Sequence, residues 1–132
     1  MGRPVVWDTW AFLEVITRGE RSLDIEALLA ETDSIVTTRD VIAETFGSLV
    51  KHTRSSQVAL AWWDALAASR MRVADPAREE IRRFATGLKE VGTLSFVDLS
   101  LGVAAKSVGA RAVATGDREF RRMGLEPLFA HA

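Results

Sequence analysis

The chain has 132 residues, 48% of them apolar, no cysteine and a net charge of −1. That suits one domain spanning 1–132 with a real hydrophobic core, and it excludes disulfides, thiolate metal sites and a globally basic, nucleic-acid-coating surface. No apolar run approaches the roughly 18 residues that a membrane span needs. The N-terminal segment has one Arg and no long apolar run, so it does not read as a signal peptide, and the expected location is the cytoplasm.

Taken in chain order, residues 4–7 read as a short buried strand, and 8–17 as a helix with Trp10, Phe12, Leu13 and Ile16 at helical spacing, closed by Gly19. Ser22 caps a second predicted helix over 23–31. A strand follows over 34–38. The helix expected over 39–52 carries Ile42, Phe46, Leu49 and Val50 on one face. A further helix over 57–69 holds Trp62 and Trp63, and a weak strand covers 71–73. Asp75-Pro76 is a start signal for a helix running to about 89, a capping acid followed by Pro at the first helical position. Residues 96–107 form an almost wholly apolar helix ended by Gly109, followed by a strand over 111–115, a short helix over 118–123 and a last strand over 127–129. Alternating strands and helices imply an α/β fold with a mostly parallel sheet, in which sites lie beyond the carboxyl ends of the strands.

Four acids stand out. Asp8 follows the first strand directly, as a helix cap or as a cation ligand. Asp117 has the same two readings after the strand at 111–115. Asp98 is the only charge of its apolar helix before Lys106. It fits a capping box with Ser95, yet a carboxylate beside so much apolar surface needs a partner, and a cation is one. On a helical wheel Glu44 falls opposite the Ile42–Phe46–Leu49 stripe, which predicts a solvated position.

Other chemistry is sparse. His52 and His131 lack metal-ligand spacing. No Gly-rich phosphate loop or nucleophile elbow occurs. The four tryptophans read as core or interface anchors rather than base-stacking platforms. Arg118, Arg121 and Arg122 follow Asp117 closely and so can flank a site there.

The four acids, in this order, resemble those of PIN-domain ribonucleases, most closely the VapC-type toxins of toxin–antitoxin pairs. The resemblance runs nearly end to end: VVWDTWAFLE at Asp8, TTRDVIAETF at Glu44, LSFVDLSLGVAAKSVGAR at Asp98 and AVATGDREF at Thr115, Asp117 and Phe120. The last two phrases in tandem are the specific ones. Two departures, Trp7 for an aliphatic residue and Leu99 for Ala, remove no acid.

The resemblance implies a three-layer α/β/α fold around a central, mostly parallel sheet of about five strands, with the four acids converging at one end. It implies a metal-dependent endoribonuclease, the toxin of a type II toxin–antitoxin system, with Asp8, Glu44, Asp98 and Asp117 holding Mg²⁺ or Mn²⁺. Oxygen-only ligands suit such hard ions. Thr115, Thr9 and Ser95 would support the ligands, and Glu44 would then face a polar cleft, against the wheel. Expected partners are RNA, held in part by Arg118, Arg121 and Arg122, an antitoxin, and a second copy in a homodimer. The segment 10–16 and the Trp62-Trp63 helix are candidate contact surfaces. The alternative is a PIN scaffold that binds RNA or protein without cleaving, which loss of an acid would favour; all four are present. A phosphotransferase with Asp8 as nucleophile is disfavoured, because Trp10 stands where a second Asp is needed.

Overall fold

The computed structural model describes residues 3–32 and 34–130, so His131 lies outside the described residues. In chain order the elements are β1 (Val5–Trp7), α1 (Thr9–Ile16), α2 (Ser22–Glu31), β2 (Ile35–Thr38), α3 (Arg39–Thr53), α4 (Gln57–Ala67), β3 (Arg72–Ala74), α5 (Arg78–Thr86), α6 (Phe96–Val108), β4 (Ala112–Ala114), a 3-10 helix (Arg118–Met123) and β5 (Glu126–Pro127). The five strands form one sheet, parallel at every pairing, in the order β3-β2-β1-β4-β5.

The order follows from the sequence. β1, β2 and β4 are runs of Val, Ile, Ala and Thr that are buried nearly throughout, as central strands covered on both faces must be. β3 is largely exposed, as an edge strand can be. The chain steps from β1 to β2 to β3 toward one edge, then doubles back past β1 to reach β4. The right-handed rule for parallel crossovers assigns α1–α4 to one face and α5 and α6 to the other. The packing agrees: α1 lies on α2 and α3, α3 on α4, and α5 on α6, while α6 also meets β1, β2 and α3. This is the expected α/β/α arrangement.

The main core joins Val6, Trp7, Phe12, Ile25, Val36, Val41, Leu101, Val113 and Phe120. A smaller cluster, Ile81, Leu94 and Leu99, ties α5 to α6, which accounts for Leu99 after Asp98: the larger side chain fills that contact. Trp7 packs against Phe12, ring centroids 5.2 Å apart, and its indole N–H is buried without a partner among the described residues.

Several predicted boundaries move. Ser22 is the first residue of α2 and not its cap; Arg21 precedes the helix without a side-chain capping bond. Asp75 does not cap α5. The helix begins at Arg78, the Glu80 carboxylate accepts the Ala77 N–H at 3.2 Å, and Asp75 faces Arg39. α5 ends at Thr86, short of 89, on Gly87. The buried stripe of α3 is Val41, Thr45 and Leu49: Leu49 is as predicted, while Ile42, Phe46 and Val50 are only half-buried beside it. β5 is Glu126–Pro127, although Leu128 and Phe129 continue the hydrogen bonds to β4, donating to Val113 and Thr115. Gly109 ends α6 as predicted, at φ 73°, in the left-handed region that favours glycine.

Candidate active site

The strand order reverses between β1 and β4, so their carboxyl ends flank a topological switch point, where open α/β sheets bind ligands. Asp8 follows β1 and Asp117 lies just beyond β4. The sheet itself therefore brings together two acids that are 109 positions apart.

Asp8 is both cap and buried acid. It is 7% exposed. Its Oδ1 accepts the Thr9 N–H at 2.8 Å, and its Oδ2 accepts the Thr115 hydroxyl at 2.8 Å. Its own N–H donates to the Ala114 carbonyl at 3.4 Å, extending the β1–β4 ladder by one residue. Burial pushes the carboxyl up to about 7. The two hydrogen bonds oppose that push, and the charges of Asp98 and Glu44 add to it.

Asp98 sits at the third position of α6 in the expected capping box. Its Oδ2 accepts the Ser95 N–H at 2.9 Å, and its N–H donates to the Ser95 hydroxyl at 3.1 Å. It is half-buried. Burial raises its pKa, the Ser95 bonds lower it, and the charges of Asp117 and Glu44 raise it again. Asp117 heads the 3-10 helix: its Oδ1 accepts the Glu119 N–H at 2.9 Å, and its N–H donates to the Thr115 hydroxyl at 3.1 Å. Thr115 is thus a hinge between the acids, donating to one and accepting from the backbone of the other.

Glu44 lies on the solvent side of α3. It is exposed, as the wheel predicted, and its charge raises the pKa of Asp8 and of Asp98. All four acids therefore share one electrostatic neighbourhood. Burial and other acids raise Asp8 and Asp98, and hydrogen bonds lower them; among the described residues no Lys, Arg or His ranks with these influences on either. Among the described residues, no three acids stand close enough to grip one ion as they are.

The supporting residues differ from expectation in one respect. Thr115 and Ser95 touch the acids through their side chains. Thr9 touches Asp8 only through its N–H, and its hydroxyl is buried without a partner among the described residues. Sequence reasoning missed Thr38 and Ser100. Their hydroxyls meet at 2.9 Å, and Thr38 also caps α3 by accepting the Val41 N–H at 3.2 Å. This buried link holds the start of α3, which carries Glu44, against α6, which carries Asp98. The available signal was weak: a second Thr at the end of β2 and a Ser among the apolar residues of α6.

Of the three arginines, Arg122 is engaged by Glu119 and by Glu90, the latter at 3.0 Å. Arg118 and Arg122 line an open cleft of about 490 Å³ with Gly116 and Asp117. Arg121 is exposed on the same short helix.

A parallel sheet with carboxylates gathered at its switch point defines a class of acidic-site α/β domains. Within that class the PIN domain profile matches residues 5–125, and the chain belongs to the PIN domain family. Solved structures bear the same fold. VapC20 of Mycobacterium tuberculosis, described as a sarcin-ricin loop cleaving toxin, superposes with a TM-score of 0.78 at 18% identity, over 92% of this chain and 95% of that one. VapBC2 of Rickettsia felis, solved bound to a DNA fragment from its promoter, gives 0.68 at 18% identity over 93% and 96%. PAE2754 of Pyrobaculum aerophilum gives 0.64 at 22% identity over 96% and 84%. No curated protein sequence matches significantly.

Proposed function

We propose that this protein is a metal-dependent endoribonuclease and the toxin of a type II toxin–antitoxin pair. The observation that carries the reading is the gathering of carboxylates at the switch point: the nearly buried Asp8, with the charges of Asp98 and Glu44 acting on it and that of Asp117 acting on Asp98. An ionised cluster of this kind needs cations. The donor set is all oxygen, which fits Mg²⁺ or Mn²⁺. Asp8 and Asp98 are the principal ligands; Glu44 and Asp117 complete the set. A bound ion would supply a water of lowered pKa and neutralise charge on the scissile phosphate.

The chain's own contributions are positional. Thr115 fixes Asp8 through Oδ2 and the Asp117 backbone through its hydroxyl oxygen. Ser95 fixes Asp98, and the Thr38–Ser100 bond holds the helices that present Glu44 and Asp98. Arg118 and Arg121 would steer the RNA backbone toward the acids, giving modest, salt-sensitive affinity.

Two features support protein partners. An apolar cleft of about 470 Å³ opens between α1, α2 and α4, lined by Phe12, Ile16, Leu29 and Trp62, and an antitoxin segment would cover it. Beside it, Leu60 and Trp63 are 47% and 51% exposed, and Trp63 meets Phe46 edge-on. That pair forms the proposed homodimer face, whereas Phe12 is spent in the core and Trp62 packs edge-on against it. Unchanged solution mass in Trp63→Arg would exclude this face. Among the described residues no helix is long and apolar enough to cross a membrane. The function is tested by incubating an RNA pool with the purified protein and Mg²⁺ or Mn²⁺. Cleavage should vanish in EDTA and in folded Asp8→Asn and Asp98→Asn; cleavage that persists in both variants would refute the assignment.

A further inference from the structure

A second cleft, of about 340 Å³, adjoins the acids. It is lined by Trp10, Glu14, Glu20, Arg21, Gly116 and Phe129. Gly116 also lines the cleft of Asp117 and Arg118, so the two clefts meet at the end of β4. Trp10 lies two residues beyond Asp8, and Gly116 one residue before Asp117. The same switch point therefore presents carboxylates on one side and a tryptophan on the other.

The walls are fixed. Trp10 stacks on Phe129 with centroids 5.8 Å apart and planes 29° from parallel. The Arg21 guanidinium lies over the Phe129 ring at 5.1 Å, while its Nε donates to Asp24 at 3.0 Å. The Glu14 carboxylate accepts the Arg21 N–H through Oε2 at 3.1 Å. Gly116 lets Trp10 approach closely: a Cβ there would come within 3.1 Å of the indole, and the ring would have to give slightly. Trp10 is partly buried: it packs against the central core and also lines this cleft.

Chemistry selects the occupant. Two carboxylates in the lining disfavour a phosphate. They favour a neutral group that donates hydrogen bonds. An aromatic stack with a guanidinium beside it favours a flat ring. A nucleobase combines both properties, and unstacked RNA bases are read in this way, by stacking and edge hydrogen bonds. We propose that this cleft is a nucleobase subsite beside the scissile phosphate. The base stacks with Trp10, and Glu14 accepts from its exocyclic amine, selecting adenine, cytosine or guanine over uracil. The subsite rests on the ribonuclease reading for its biological role, although its binding can be measured without cleavage.

The test uses labelled single-stranded homopolymers of A, C and U, titrated by fluorescence anisotropy in EDTA at low salt. Wild-type protein should bind A or C about tenfold more tightly than U, and Trp10→Leu should lose about tenfold in affinity and most of that preference. Glu14→Gln, which keeps an acceptor for the Arg21 N–H, should retain affinity but lose discrimination against U; it carries the test if Trp10→Leu fails to fold. Equal binding of U by the wild type, no binding of any homopolymer, or an unchanged preference in the folded variants would overturn the subsite. Metal-dependent cleavage that survives such a result would leave the nuclease standing. The predicted base pattern without any cleavage would support the subsite and defeat the nuclease.

Discussion

Asp8 and Asp75 have nearly the same local setting. Each follows a strand within a residue and precedes a helix. Asp8 lies at the switch point beside the central strands, almost wholly buried and surrounded by acids. Asp75 lies at the end of the edge strand β3, with its side chain 63% exposed and Arg39 3.7 Å away. An exposed pair of that kind contributes little, and water does most of the solvating. Strand order thus separates a candidate ligand from a surface acid where local sequence does not.

The largest expected separation is in activity. Asp8→Asn should reduce RNA cleavage to background, whereas Asp75→Asn should leave the rate unchanged; a single gel assay of the two purified variants compares them. Next comes Thr115→Val, which removes the hydroxyl that holds Asp8. Metal affinity and cleavage should fall about ten- to hundredfold, read by metal titration of the rate.

The two acids should also differ in their effect on stability. The Asp8 carboxyl ionises near its ordinary 3.8 in the unfolded chain and near 7 in the fold. Between those values the folded state holds the extra proton, so stability without metal is full at acidic pH and falls as pH rises toward 7. The gap corresponds to at most about 4 kcal/mol. In EDTA at mildly alkaline pH, Asp8→Asn should therefore be the more stable protein by urea denaturation, and added Mg²⁺ should reverse the order. The smallest effect belongs to Asp75→Asn, within about 0.5 kcal/mol at any pH. A shift comparable to that of Asp8 would erase the contrast.

Most of the architecture was legible because its signals are local. Val5–Trp7 and Ile35–Thr38 are short apolar or β-branched runs at the head of helical patterns, and Gly109 stops α6. The start of α5 was not legible, because Asp75-Pro76 and Ala77 with Glu80 offer competing caps. Asp75 faces Arg39, and the Glu80 carboxylate takes the Ala77 N–H. In the site, Asp98 and its Ser95 box could be read directly. Glu44 could not, since a wheel sorts one helix into core and solvent and says nothing of a neighbouring element. The Thr38–Ser100 bond was out of reach for the same reason: its partners are 62 residues apart.

The position of β1 also bears on the order in which the molecule can be made. β1 is made before both of its neighbours in the sheet, β2 and β4, and its β4 edge stays bare until Ala112–Ala114 have emerged from the ribosome. Asp8 has no Thr115 donor before that point, and Asp117 follows only two residues later. The nascent chain thus carries a half-paired sheet and scattered carboxylates until β4 is available, and the acidic centre closes only once Asp117 has followed it.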